Sequence, residues 1–117
     1  MAQILKLKEG IKFKMGQGDT RRVVCPEMGA KNVTLNYIVF GPGQEFPQHD
    51  HGESEDVFVI LEVSGVLKQG KVETPIKAGD VVYVPAKEVH GTVAGSGGMV
   101  CISCQAPPDP KLYRGER

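Results

Sequence analysis

The sequence contains few of the residues that mark a secreted disulfide scaffold. Its 117 residues include three cysteines, no tryptophan and only three histidines. An odd number of cysteines, too few to cross-link a small domain, is typical of proteins from a reducing compartment. We therefore expect a cytoplasmic protein.

An excess of charge of one sign is also lacking. Fourteen basic residues balance fourteen acidic ones, so the formal net charge is zero. Nucleic acids and anionic membrane surfaces both select clustered basic charge. No stretch approaches the roughly 18 apolar residues of a transmembrane helix, and residues 1–10 lack the apolar core of a signal peptide. The sequence thus predicts neither a nucleic-acid nor a membrane partner.

Glycine and proline are abundant instead, with 15 and 8 copies, and so many turn-forming residues leave little room for long helices. Short apolar runs rich in valine and isoleucine predict nine strands, separated by glycine-containing turns. These strands are 4–7, 22–25, 33–40, 56–63, 66–68, 72–76, 81–84, 90–93 and 99–104. Strands at this even spacing indicate an all-β sandwich or barrel, and periodicity alone does not choose between them.

The length fits a single domain covering 1–117. The segment 105–110 contains three prolines, which remove donors from a β-ladder. We expect 105–117 to be an extended tail that lies over the barrel or over a partner chain.

The placement of the three histidines is the most informative pattern in the sequence. His49 and His51 are separated by one residue, so on an extended segment both imidazoles point to one face, and Glu55 shares that parity. His90 follows a predicted strand further along the chain. Three imidazoles and one carboxylate suit Fe(II), Mn(II), Ni(II), Co(II) or Zn(II). Taken alone, a His-x-His pair more often marks a surface or turn feature.

The residues around the histidines resemble the first motif of the cupin superfamily. That motif runs glycine, five residues, His-x-His, three or four residues, glutamate, six residues, glycine. Here 43–62 reads Gly43-QEFPQ-His49-Asp-His51-GES-Glu55-DVFVIL-Glu62. Glu62 replaces the last glycine, which puts the turn geometry in doubt unless the bend shifts along the chain.

The second cupin motif runs glycine, five residues, Pro-x-Gly, two residues, histidine, three residues, asparagine. Here 79–94 reads Gly79-DVVYV-Pro85-Ala-Lys87-EV-His90-GTV-Ala94. Lys87 and Ala94 replace a glycine and an asparagine, neither of which is a metal ligand in the family. Both motifs occur in the family's order and at its spacing, and together they cover the central half of the chain.

The resemblance implies a double-stranded β-helix, or jelly-roll barrel, that holds one divalent metal ion on His49, His51, Glu55 and His90. It also implies a homodimer, because small single-domain cupins usually pair. An octahedral ion with four protein ligands keeps two positions for water or a small oxygen chelator. We therefore expect a metal-dependent enzyme acting on a small oxygenated metabolite, as a dioxygenase, decarboxylase or isomerase. A non-catalytic ligand-binding or sensing module is the alternative, and a structural or storage role is the least favoured.

No histidine remains for general-base chemistry. Glu45, Glu53, Tyr37 and Tyr83 are weak catalytic candidates by position only, and each is more often an ordinary packed or solvated residue. Asp50 lies between the two histidines with the opposite parity, so we expect it to face away from the metal.

The pair Cys101 and Cys104 has the spacing of a redox motif. Such pairs lie at a helix N-terminus, and nothing helical is predicted here. On a strand the two side chains would face opposite ways, and Cys25 alone does not complete a zinc site. Buried structural thiols are the favoured interpretation, and the thiol that points inward could line the pocket.

Overall fold

The computed structural model describes residues 1–110, and in these residues the chain is almost entirely β. Its strands are β1 (Ile11–Met15), β2 (Gly18–Val24), β3 (Thr34–Phe40), β4 (Glu45–His49), β5 (Glu55–Gln69), β6 (Val72–Lys77), β7 (Val81–Val84) and β8 (His90–Ala106). Two short 3₁₀ helices, Leu7–Glu9 and Pro26–Met28, complete the elements. The predicted all-β jelly-roll fold is confirmed.

Two long strands hold the fold together. β5 and β8 pair antiparallel along their whole length, from Glu55 opposite Ala106 to Lys68 opposite Gly91. The first half of β5 pairs with β7 and its second half with β6, while β8 pairs first with β4 and then with β3. Each long strand therefore contributes to two layers. The main strand path ends at β1 and β6, so the described sheet is an open jelly roll and not a barrel closed by hydrogen bonds.

The two layers meet at a bend in β5. The β5–β8 register shifts between Ile60 and Glu62 and again between Val63 and Gly65. Val63 has φ 65°, a left-handed conformation that is rare for a β-branched residue. The bend that the family makes at a glycine is therefore made at Val63, one residue after the expected Glu62.

The interior-facing side chains are the even-numbered ones of β3 and of β5 as far as Ile60, and the odd-numbered ones of β8 from Met99 to Gln105. Their polarity changes along the molecule. Three rows cross these strands, each with one residue from β3, β8 and β5 in register. The rows are Thr34–Gln105–Asp56, Asn36–Ser103–Phe58 and Ile38–Cys101–Ile60, and every member is buried. The interior is polar at the end of the first row and apolar beyond the third, where Phe40 and Met99 continue the core.

Several predicted elements differ from those observed. The strand predicted at 4–7 is absent, and the short β1 and β4 were missed. The strands predicted at 56–63 and 66–68 are one strand, β5, and those at 90–93 and 99–104 are one strand, β8. Glycines at 95–98 suggested a turn, yet they lie inside β8, opposite the bend of β5, where small residues allow close approach.

The described part of the C-terminal tail contacts the turn between β4 and β5, through His51 and Ser54. Residues 105 and 106 still belong to β8, so the extended part begins at Pro107, and its Asp109 is buried. The remainder of the predicted tail, 111–117, lies outside the described residues. Among the described residues, no helix is long and apolar enough to cross a membrane.

Candidate metal centre

The fold brings together all three histidines of the chain. His49 ends β4 and is in register with His90, the first residue of β8, while His51 lies in the turn that follows β4. Their ring centroids are 4.5 to 5.2 Å apart. One nitrogen from each ring belongs to a group of ligand atoms that all lie within 4.8 Å of one another. Strand pairing thus places together two motifs that are distant in the sequence.

The hydrogen bonds of the rings fix their tautomers. The Nδ1 atom of His49 lies 2.6 Å from the carbonyl oxygen of Pro47, and that of His90 lies 3.0 Å from the carbonyl oxygen of Glu88. The Nδ1 atom of His51 lies 2.9 Å from Oδ2 of Asp109. Because these oxygens accept hydrogen bonds, each Nδ1 carries the proton and donates it. Each neutral ring therefore keeps a lone pair on Nε2.

The Nε2 atoms face one another. Those of His49 and His51 are 2.9 Å apart. Two lone pairs at that distance repel each other unless a cation lies between them. The arrangement is that of ligands whose outer nitrogens are held by hydrogen bonds, as metal-ligating histidines usually are.

The carboxylate on the Nε2 side of the rings belongs to Asp56. Its Oδ2 atom lies 3.6 Å from Nε2 of His51 and 3.6 Å from Nε2 of His90, and its Oδ1 accepts a hydrogen bond of 3.0 Å from the Ser103 hydroxyl. Glu55, the expected ligand, precedes it on β5 and faces solvent, where its carboxylate accepts a hydrogen bond from Tyr83. Side chains alternate along a strand, so only one of the two can face the histidines.

Burial shapes the electrostatics of the centre. Desolvation lowers the pKa of His51 below its ordinary value, although Asp109 and Asp56 act in the opposite direction. The ring is therefore neutral at neutral pH, as a metal ligand must be. Asp56 and Asp109 are 3% and 2% exposed, and the ion pairs recorded for them are with histidine rings. The carboxylate of Asp56 places negative charge beside the Nε2 atoms of His51 and His90, which favours a cation at this position.

Three separations between donor atoms are compatible with one metal ion. Two ligand atoms that each lie about 2.1 Å from an ion can be at most about 4.2 Å apart. The 2.9 Å between the Nε2 atoms of His49 and His51, and the 3.6 Å from Asp56 to Nε2 of His51 and of His90, meet that limit. The group of ligand atoms within 4.8 Å of one another consists of the three histidines and does not include Asp56. The donor set of imidazole nitrogens and one carboxylate suits a divalent transition metal.

A small cavity of about 30 Å³ adjoins the cluster on the apolar side. This volume accommodates about one water molecule. His49, His90, Thr92 and Ser103 line it together with the apolar side chains of Met15, Ile38, Phe40, Phe46, Phe58 and Cys101.

The weak catalytic candidates lie away from the imidazole cluster. Glu45 is exposed on β4, and the exposed Glu53 pairs with Lys87 at 3.2 Å. Tyr83 is exposed on the outer face of β7. Tyr37 is 9% exposed and lies on the outer face of β3, opposite to Ile38, where Lys8 and Arg21 are nearby. Asp50 is predicted to face away from the metal. Its Oδ1 atom accepts a hydrogen bond of 2.9 Å from the Gly52 amide within the local turn.

The thiols are placed as the strand spacing predicted. Cys101 points inward and lines the cavity, while Cys104 lies on the opposite face of β8 and is partly buried. Burial raises the pKa of the Cys101 thiol to about 12, and the nearby Asp56 adds to the effect. Burial also raises the pKa of Cys25. These are inert thiols, with no disulfide among the described residues.

Sequence reasoning missed two carboxylates at this centre. Asp56 had a signal, because the motif allows four residues between the second histidine and the acid. That spacing selects Asp56 and places Val63 at the motif's final glycine, where the structure has the left-handed bend. No sequence pattern indicated Asp109, because it lies 58 residues beyond His51 in a proline-rich tail.

Comparison with known proteins gives consistent results. Residues 36–103 match the family model of the cupin domain. The dimethylsulfoniopropionate lyase DddW of Ruegeria pomeroyi is 36% identical over 73 residues, which are 62% of this chain and 47% of that protein. The chain spans about half the length of the curated relatives it matches.

Solved structures share the fold at low sequence identity. KdgF from Halomonas sp. superposes with a TM-score of 0.80 at 14% identity, covering 96% of this chain and 99% of that one. The polyketide cyclase RemF from Streptomyces resistomycificus superposes with a TM-score of 0.76 at 22% identity, covering 98% and 94%. At these identities the likeness shows the fold alone.

Proposed function

The chain belongs to the cupin domain family, and from this premise we propose that it binds one divalent transition metal through His49, His51, His90 and Asp56. We further propose that the metal-loaded protein is an enzyme acting on a small oxygenated metabolite. Asp56 takes the place first assigned to Glu55.

One observation carries the metal proposal. Three imidazoles hold their protons on Nδ1 and direct their Nε2 lone pairs at one another, with 2.9 Å between those of His49 and His51. With these tautomers the two lone pairs repel each other, and a cation bound between them would remove that repulsion. The side-chain amide nitrogen of Gln105 also lies 3.3 Å from Nε2 of His51. The Asp56 carboxylate supplies the fourth donor and negative charge.

A bound metal ion would supply a Lewis acid with positions open to a small oxygen ligand. The chain's own residues restrict what can reach it. Phe46 stacks on the ring of His49 with centroids 4.0 Å apart, and Phe58 lies beside His90. These rings form an apolar wall beside the two histidines, and the cavity there has room for about one water molecule. The donor set, rather than this cavity, favours a small metabolite that binds through carboxylate or hydroxyl oxygens.

The reaction type is proposed at the level of class. Dioxygenase, decarboxylase and isomerase chemistry all use a small oxygen-chelating substrate. The resemblance to a dimethylsulfoniopropionate lyase over part of its length adds a lyase reaction on a small carboxylate. Dimethylsulfoniopropionate is accordingly one substrate to test. Since all three histidines belong to the cluster, a proton would be moved by another group.

Metal analysis and anion titration test the proposal together. Protein purified without added metal should hold close to one transition-metal ion per chain, and His49→Ala/His51→Ala should lose most of it. Oxalate, a hydroxy acid or dimethylsulfoniopropionate should change the visible spectrum of the Co(II)-loaded protein. Turnover of a bound compound supports an enzyme, and binding without turnover supports the ligand-binding alternative. Full metal content in the double variant would refute the ligand assignment.

We also propose that two chains form a homodimer through the outer face of β3, β8, β5 and β7. Two adjacent rows in register cross these four strands with no charged side chain: Leu35–Cys104–Val57–Tyr83 and Tyr37–Ile102–Val59–Val81. A contiguous exposed apolar patch marks a surface for interaction with another protein. A second copy with the same face provides a symmetric cover.

A further inference from the structure

The three imidazoles are not held in the same way. His49 and His90 donate from Nδ1 to backbone carbonyl oxygens two residues earlier, at 2.6 and 3.0 Å. Both acceptors are backbone atoms of the same short segment as the histidine that they hold. His51 donates instead to the carboxylate of Asp109, 58 residues further along the sequence, at 2.9 Å. The Nδ1 acceptor of His51 is thus a side chain remote in the sequence, while the Nδ1 acceptors of His49 and His90 are local backbone atoms.

Neighbouring prolines and a hydrogen bond from Ser54 restrict the position of the Asp109 carboxylate. Asp109 follows Pro107 and Pro108 and precedes Pro110. The proline rings restrict the backbone on both sides of it. The Ser54 hydroxyl, three residues after His51, donates a hydrogen bond to the carbonyl oxygen of Pro107. The same turn that carries the ligand thus also fastens the tail. Asp109 is 2% exposed, a burial that is unfavourable for a carboxylate without a partner.

The charges around His51 agree with this role. Its Nε2 lies 3.6 Å from Oδ2 of Asp56, while its Nδ1 lies 2.9 Å from Oδ2 of Asp109. One carboxylate is on the ligand side of the ring and the other is behind it. A carboxylate behind a ligating imidazole fixes its tautomer and makes its Nε2 a stronger donor.

We propose that Asp109 is a positioning residue of the metal centre, so that the C-terminal tail completes the site by holding His51. The proposal rests on the metal site proposed above. Asp109 contacts the Nδ1 side of the His51 ring, away from the Nε2 atom that is proposed to bind the metal. Metal affinity therefore depends on a segment outside both cupin motifs.

Cobalt titration of Asp109 variants tests the proposal. Asp109→Ala should bind Co(II) about 10- to 100-fold more weakly than the natural protein in competition with a chromophoric chelator. Asp109→Asn should bind with intermediate affinity, because its amide oxygen can still accept the Nδ1 proton but carries no charge. Both should shift the visible Co(II) spectrum. Asp80→Ala is the matched control, since this carboxylate accepts the Lys77 amide in a turn between β6 and β7.

A double-mutant comparison separates positioning from general stability. In a His51→Ala background, Asp109→Ala should cause no further loss of Co(II) affinity. Asp109→Asn keeps the shape of the side chain and decides the question if Asp109→Ala does not fold. Unchanged Co(II) affinity and spectrum in the folded variant would overturn the role of Asp109 while leaving the metal site intact. A natural protein that binds no Co(II) would instead overturn the metal site and this proposal with it.

Discussion

At the scale of the residue, a shift of one position decides which carboxylate reaches the histidines. Glu55 and Asp56 are consecutive, and the motif spacing permits either. Asp56 is 3% exposed and lies 3.6 Å from two Nε2 atoms, while Glu55 is exposed and accepts from Tyr83 on the other face. Side chains alternate along a strand, so the two residues cannot exchange roles without a change of register.

The pair provides a matched test of the ligand assignment. Asp56→Ala should lose most of the bound metal, because it removes the fourth donor and the charge that balances the ion. Glu55→Ala should keep it, since the same group is deleted on the solvent side of the same strand. Metal content per chain by elemental analysis gives the answer. The reverse result would restore the original assignment to Glu55.

At the scale of the element, left-handed residues mark the places where the strands and turns change direction. Val63 and Lys87 have φ of 65° and 67°, and both stand where the cupin motifs have glycine, once Asp56 is taken as the acid. A side chain in this region costs about 1–2 kcal/mol relative to glycine. The structure keeps the bends of the family without its glycines, at a cost in stability.

Lys87→Gly should therefore stabilise the metal-free protein by about 1 kcal/mol. The lost ion pair with Glu53 is exposed and contributes little. Lys77→Gly is the control, because this exposed lysine on β6 has no left-handed backbone, and glycine there should destabilise by about 0.5–1 kcal/mol. Urea unfolding of the three proteins measures the difference. Equal destabilisation by both changes would contradict the strain at residue 87.

At the scale of the whole molecule, the two layers expose different outer surfaces. The layer with β3, β8, β5 and β7 carries the uncharged rows proposed as a dimer face. Val81 on this face is 63% exposed. Val72 on β6, in the other layer, is exposed to the same 63%. The two valines therefore differ in location and not in exposure.

Val81→Glu should convert the dimer to a monomer, because it places a charge on the apolar face proposed to be buried between the two chains. Val72→Glu should leave the dimer intact. Sedimentation velocity on the natural protein and the two variants distinguishes the cases. A natural protein that sediments as a monomer, or dissociation by Val72→Glu alone, would contradict the proposed face.

The sequence by itself determined the fold class, most of the strands and the meeting of the three histidines. Valine-rich runs between glycine turns mark strands locally, and the cupin motif spacing links His49, His51 and His90 although strand pairing is not visible in the sequence. The single domain over 1–117 and the cytoplasmic location stay predictions.

Only the tertiary structure decided which side chains face the centre. Val63 moves the bend, and Asp56 rather than Glu55 faces inward, because a period-two pattern in an apolar run does not reveal which parity is buried. The fusion of predicted short strands into β5 and β8 depends on pairing between two layers. The contact between Asp109 and His51 joins residues 58 positions apart, and no local pattern encodes such a contact. It forms because the folded strands bring the turn with His51 and Ser54 next to residues 107–109, where both side chains can donate hydrogen bonds to the tail.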